Sequence, residues 1–409
     1  MKFTGLLLRV RETPGMGALA VAALCAGFIA LSAAPVVLSW EPTPNAFFTK
    51  HPELQMPGGV LLAAVLIALI FTIARLDGEA KPWKVVRYIG FVLLAALLTD
   101  IHVHTVDAFH LDWQWEQYNG VLHHTYVAPD QYRFLSQGTL WWMFLSNGSF
   151  VFSYLAYRFF FTFLLCHLIY KFARLCLDPV WSTGVVLLYA LFYPLSIRYY
   201  YGNLCDPTSH AAMLAALIFC QRREFWPALC SVALGTFIKE TILIVAPCWL
   251  LLGSASGLRF EKRDLLRVTA LVAVGLAVFF ACRLPFDFRY DFQTLNRTNQ
   301  LMIWSNLGLP QGLAFSTVPV FQRYLHPVLF LFMWLPLVIW RRAALPVPLF
   351  RTALYLTAAF YLTNLCFGWN YESRNFVPGL IVLLVCTVVI LKSFVPAPAE
   401  AQPFRRPDV

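Results

Sequence analysis

The stretch TFIKETILIV, residues 236–245, sets Lys239 beside Glu240 in the middle of a run, 226–252, that holds no other formal charge. Its reading decides the fold. A charge at the centre of a bilayer-spanning helix costs about 2.5–3.5 kcal/mol on insertion scales. If 226–252 were one straight span, the next loop, with Arg259, Lys262, Arg263 and Arg267, would lie outside. That would contradict the rule that Lys and Arg collect in cytoplasmic loops. If instead the chain folds back at Lys239-Glu240, the loop returns to the cytoplasm. Each limb is then about 12 residues, roughly 18 Å of helix, too short to cross about 30 Å of hydrocarbon. The expectation is a re-entrant or broken helical hairpin whose tip lies at depth, in protein or in a wet cavity, where irregular backbone is tolerated.

Composition supports a bilayer as the solvent. The chain has 409 residues, 59% of them hydrophobic and only 13% charged, against about 25% charged in soluble domains. Apolar stretches at 16–40, 58–75, 85–99, 150–170, 180–197, 207–221, 268–284, 326–340, 352–368 and 375–393 recur along its length. The reading is an all-α, polytopic transmembrane helical bundle of about 10–12 membrane segments. It forms a single integral membrane domain over 1–393, with a Pro/Ala-rich disordered cytoplasmic tail at 394–409. Residues 16–40 are too long for the apolar core of a signal peptide and read as a first, uncleaved span. Pro179, Pro207 and Pro327 read as helix starts. The net charge of +10 belongs to loops that set orientation, since no basic run is long enough to follow a nucleic-acid backbone. The ten cysteines are scattered, without a CxxC pair, and read as small hydrophobes. Neither GxSxG nor GxxxxGK[ST] occurs, which argues against a soluble-type hydrolase or ATPase.

With both termini cytoplasmic, the unusual polar residues all fall on the outer side. The long loop 99–149 carries Asp100, Asp107, Asp112, Glu116, Asp130, Arg133 and five of the nine histidines. Its aromatics Trp113, Trp115 and Tyr118 suggest short interfacial helices on the membrane surface. The stretch RYYYGNLCDPTSH (198–210), the hairpin tip, a second outer loop at 285–325, and GWNYESRNFVPG (368–379) complete the set. Intramembrane ionisable residues are functional suspects. Lys239, Arg133 and Arg374 suit an anionic phosphate. Asp107 or Asp112 suits proton abstraction from a hydroxyl. Tyr200 and its aromatic neighbours suit a sugar ring or an apolar tail. Glu372 stands beside Arg374, and Glu240 is expected to keep Lys239 charged and oriented.

The order VDAFHLDW, PDQYRFLSQGTLWW, a KE turn and a late ESRNFVP loop resembles bacterial membrane proteins of the glycosyltransferase C (GT-C) superfamily over about residues 85–393. The resemblance implies a multi-span helical core with a long first extracytoplasmic loop. It also implies a polyprenyl-phosphate-linked sugar as donor. Asp107 or Asp112 would then be the base, Lys239 a phosphate ligand and Arg374 a substrate-side cation. The adjacent acid pair frequent in that class is absent here, Asp107 and Asp112 being separated by four residues. The expected function is sugar transfer from that carrier to an acceptor on the outer face of a cell inner membrane, with membrane lipids and the lipid-linked sugar as partners and no nucleic acid. Two alternatives stand beside it. One is a transporter or flippase for a lipid-linked or anionic substrate, since broken charged helices mark many transporters. The other is a non-catalytic assembly protein. His102 and His104 form an H-x-H pair that suits a divalent metal ion, although no standard metal spacing such as HExxH is present.

Overall fold

The computed structural model describes residues 81–102, 108–123, 125, 132–197, 203–253, 261–284, 327–367 and 373–395. Every regular element among them is helical. In chain order the α-helices are α1 (Lys81–His102), α2 (Ala108–Leu122), α3 (Phe134–Asn147), α4 (Phe150–Ala173), α5 (Pro179–Ile197), α6 (Cys205–Arg222), α7 (Phe225–Ile238), α8 (Cys248–Gly253), α9 (Lys262–Ala281), α10 (Leu335–Trp340), α11 (Val347–Phe367) and α12 (Val377–Phe394). The expected spans 16–40 and 58–75, the loop 285–325 and the tail from 396 onward lie outside the described residues.

Three helical stretches are long and apolar enough to cross a membrane: Phe150–Ala173, Lys262–Ala281 and Arg374–Phe394. They sit differently in the bundle. Nearly four-fifths of the Arg374–Phe394 window is buried, whereas only 11% of the Lys262–Ala281 window is. A helix apolar all round belongs in a core or in lipid, and these two take the two options. α1 shows the same solvent on one element. Phe91, Ala95 and Leu98 face inward, while Ile89, Leu93 and Leu97 are exposed and equally apolar. A water-facing stripe would be polar.

Pro179 opens α5 and Pro207 lies in the first turn of α6, where a missing N–H costs nothing. Between α3 and α4 the turn needs glycine: Gly148 has φ 72°, and its N–H closes α3 on the Phe144 carbonyl. Ser149 then caps α4 by accepting the Phe152 N–H. The α6–α7 turn achieves the same left-handed geometry with Arg223, φ 61°, a conformation uncommon for a side-chain-bearing residue.

After that turn the chain travels along α7, about 21 Å, breaks at Lys239 in extended conformation (φ −158°, ψ 126°) and returns. The return limb is a 3-10 turn, Glu240–Val245, followed by α8. Its end comes back to its beginning: Arg223 Nη1 donates to the Trp249 carbonyl at 2.8 Å, and the Phe225 and Trp249 rings meet at 5.8 Å. Asp264, at the start of α9, accepts from Arg223 and from Trp249 Nε1. Arg267 lies over both the Phe225 and Trp249 rings. The base of the hairpin is thus clamped by charge and aromatic contact. The limbs meet where side chains are absent. A Cβ on Gly235 would stand 2.7 Å from Ile242 Cγ2, and one on Gly275 of α9 would run into Leu243. The Tyr355 hydroxyl donates to the Ile244 carbonyl, giving the return limb a partner on α11.

These contacts sort the charges into two ends of the bundle. At one end lie Arg87 on Tyr170, Lys392 on Asp178, Arg341 over Phe394 and the Arg223–Asp264 clamp. They come from the segments that loop charge assigns to the cytoplasm. The tip of the hairpin, the start of α6 and the start of α12 lie at the other end.

Candidate functional site: a buried carboxylate between two cations

α6 begins with a reciprocal cap. The Asn203 side chain accepts the Cys205 N–H, and Asp206 reaches back to accept the Asn203 N–H at 3.1 Å. This is a variant of the capping box, in which the Asn side chain takes the N–H two residues on and the Asp side chain returns to the Asn N–H. The cap fixes the Asp206 carboxylate at the helix N-terminus, where the helix dipole favours negative charge. Its two oxygens then meet two cations from distant parts of the chain. Lys239 Nζ donates to Oδ1 at 3.0 Å, and Arg374 Nη1 donates to Oδ2 at 3.0 Å. All three side chains are less than a tenth exposed. Lys239 also donates to Asn375 Oδ1 at 3.0 Å. An ammonium has three N–H donors, so one has no partner among the described residues.

The second charge of the tip goes elsewhere. Arg133, just ahead of α3, donates from Nη2 to Glu240 Oε1 at 2.6 Å and from Nε to Oε2 at 3.4 Å. That pair is partly exposed, with side chains at 11% and 26%. Arg283, at the end of α9, lies over the Tyr132 ring at 4.3 Å. Among the described residues, Arg133, Lys239 and Arg374 thus meet Asp206 and Glu240 at this end of the bundle.

Next to Asp206 a narrow cleft, with room for about one water-sized oxygen, opens between α6, the hairpin tip, α11 and the start of α12. His210, Lys239, Thr241, Thr363, Asn364 and Asn375 supply its polar lining. A cleft with these donors can hold an anionic oxygen.

The residues singled out in the sequence divide as follows. Lys239 and Arg374, 135 positions apart, share one carboxylate. Arg133 and Glu240 pair with each other. Glu240 does not orient Lys239 by direct contact, as adjacency suggested. The Lys239 ammonium is held by Asp206 and Asn375 instead. Asp112 is exposed on α2. His102, fully buried, receives Arg158 Nη2 at 2.8 Å on Nδ1, which places a guanidinium where a metal bond at that nitrogen would form. Among the described residues no three His, Cys, Asp or Glu side chains gather as a metal site. Asp107, His104, Tyr200 and Glu372 lie outside the described residues. Trp115 and Tyr118 pack against Phe150, and Tyr118 is buried there.

Sequence reasoning missed Asp206. The signal for it was the N-x-x-D spacing of a helix cap directly before an apolar run, in NLCDPTSH. No protein-family model, curated protein or solved structure matches this chain.

Proposed function

We propose that this membrane protein transfers a sugar from a polyprenyl-phosphate carrier to an acceptor hydroxyl, with the donor phosphate held at the Lys239–Arg374 end of the bundle. The observation that supports this reading is the convergence of Lys239 and Arg374 on Asp206 beside a polar cleft, at the end opposite the basic loops. In the reaction the acceptor oxygen bonds to the anomeric carbon. The bond from that carbon to the phosphate oxygen breaks, and its electron pair stays on the phosphate. The acceptor proton passes to a carboxylate, for which Asp107 and Asp112 remain the candidates. Charge therefore grows on the phosphate as the reaction proceeds, and donors already aimed at that position stabilise the transition state more than the ground state. Asp206, with both oxygens engaged, serves as counter-ion rather than base.

The site's end of the bundle is the outer one in this reading, since the opposite end gathers the Lys and Arg that loop-charge bias assigns to the cytoplasm. The test is transfer of radiolabelled sugar from a polyprenyl-phosphate donor by the full-length protein in nanodiscs. Lys239→Met and Arg374→Gln are expected to lower transfer by about a hundredfold or more, the range seen when one preorganised donor is removed. Wild-type protein inactive with every polyprenyl-phosphate sugar offered, or variants of undiminished rate, would refute the proposal.

A further inference from the structure

His210 stands one helical turn after Asp206 on α6, so the two side chains share a face. It is only 6% exposed and lines the cleft beside Lys239 and Asn375. It makes no hydrogen bond with any described residue. Its ring nitrogens keep access to open space, and the open space beside them is the cleft. Its neighbours are engaged within the protein: Asp206 has the Asn203 N–H and two cations, and Ser209 donates to the Asp206 carbonyl. Lys239 retains an unused donor in the same cleft. Two buried polar groups with spare capacity, on different elements and lining one cavity, mark a place kept for a third party.

We infer that His210 is a ligand-binding residue. Its imidazole N–H and the spare Lys239 N–H together grip one oxygen of a phosphate group, the oxygen that enters the cleft. The lipid form of that phosphate rests on the function proposed above; the phosphate contact itself does not. Asn375 also accepts from Lys239, so that the ammonium is aimed before the ligand arrives.

The experiment uses full-length protein in nanodiscs, with polyprenyl phosphate titrated in one arm and inorganic phosphate in the other. Ligand-free thermal midpoints are measured on the same samples. His210→Leu, of similar volume and without polar atoms, is expected to weaken polyprenyl phosphate binding by about tenfold to a hundredfold, the effect of losing one hydrogen bond to a charged group. Its ligand-free midpoint is expected to match that of wild type, because no hydrogen bond within the described residues is lost. His210→Asn, which keeps an N–H donor, is expected to recover part of the binding. Unchanged affinity in both variants would overturn the inference. So would a lowered ligand-free midpoint in both variants, which would mark His210 as structural. If wild type binds inorganic phosphate in a His210-dependent way but not the lipid, the inference stands and the lipid-carrier reading falls. If wild type binds neither, both fall.

Discussion

Replacing Asp206 by Asn tests whether this carboxylate is the counter-ion of the site. Lys239 and Arg374 each approach it at 3.0 Å, so the charge centres are about 4 Å apart. At an effective dielectric of about 20 each pair gains about 4 kcal/mol gross. Desolvation of three buried groups offsets much of this, and the net cost of stranding one side of such a cluster is about 3–5 kcal/mol. The asymmetry between variants is more telling than the sum. Lys239→Met leaves Asp206 paired with Arg374, one negative against one positive. Asp206→Asn leaves two cations facing each other without a counter-charge. Thermal unfolding in detergent, followed by tryptophan fluorescence, is expected to show Asp206→Asn lower in midpoint by about 6–10 °C, at roughly 2 °C per kcal/mol for a chain this long. Lys239→Met is expected to fall clearly less. The double variant Asp206→Asn/Lys239→Met is expected to be more stable than Asp206→Asn alone, because removing both partners leaves less uncompensated charge. If Asp206→Asn costs no more than Lys239→Met, or if the double variant is simply additive, the carboxylate is not balancing these cations and the electrostatic account of the site is wrong.

Other consequences are tested more simply. Gly235→Val forces a side chain into the Ile242 contact at the closest approach of the hairpin limbs. It is expected to lower stability by about 1–3 kcal/mol, as overpacking does, and to reduce transfer through displacement of Lys239; unchanged stability would show that the limbs yield freely. Asp178, which caps α5 through the Val180 and Trp181 N–H groups, has its pKa lowered, chiefly by the hydrogen bond from Lys392 with the cap assisting. A lowered native pKa means stability that is present above the unfolded value, about 3.9, and lost as pH falls through the native one. Asp178→Asn, which keeps a capping oxygen, is therefore expected to flatten this acid-side loss while barely changing the midpoint at pH 7. The effect is small because both partners are more than a third exposed, where ion pairs contribute little.

The fold-back at Lys239-Glu240 was legible because the expense of buried charge and the placement of the next basic loop point the same way. The pairing of the tip was not, and the reason is local geometry. Lys239 is extended, and successive side chains on extended backbone point to opposite sides. Neighbours in sequence thus separate, one toward α6 and the other toward Arg133. Asp206 escaped notice for a different reason. Acids were sought in the long outer loop, where number and density drew attention, whereas Asp206 stands alone in the first turn of an apolar helix. Its partners come from 33 and 168 positions away, and no local period encodes them. Of the H-x-H pair only His102 is among the described residues: α1 ends there, so that histidine belongs to a helix packed on α4 and meets Arg158.

The separation of charge between the two ends of the bundle explains how the tip can bear its load. Hydrocarbon does not stabilise an ammonium, so the counter-charge must be in place wherever Lys239 settles. The clamp of Arg223, Trp249 and Asp264 fixes the base of the hairpin, and the length of α7 then sets the height of its tip. The cap on α6 independently sets the height of Asp206. The two coincide because α6 and α7 are antiparallel neighbours joined by the tight turn at Arg223, so the tip of one limb returns to the level at which the other helix began. An insertion of one residue in α7 would rotate Lys239 by about 100° around the helix and raise it by about 1.5 Å, separating it from Asp206 and stranding an ammonium without its counter-charge. Such an insertion is therefore expected to abolish ligand binding and to destabilise the fold more than Lys239→Met does, and adding Lys239→Met to it is expected to recover part of the loss. If the combined variant recovers nothing, the limbs of the hairpin, and not the ion cluster, carry the precision of this site.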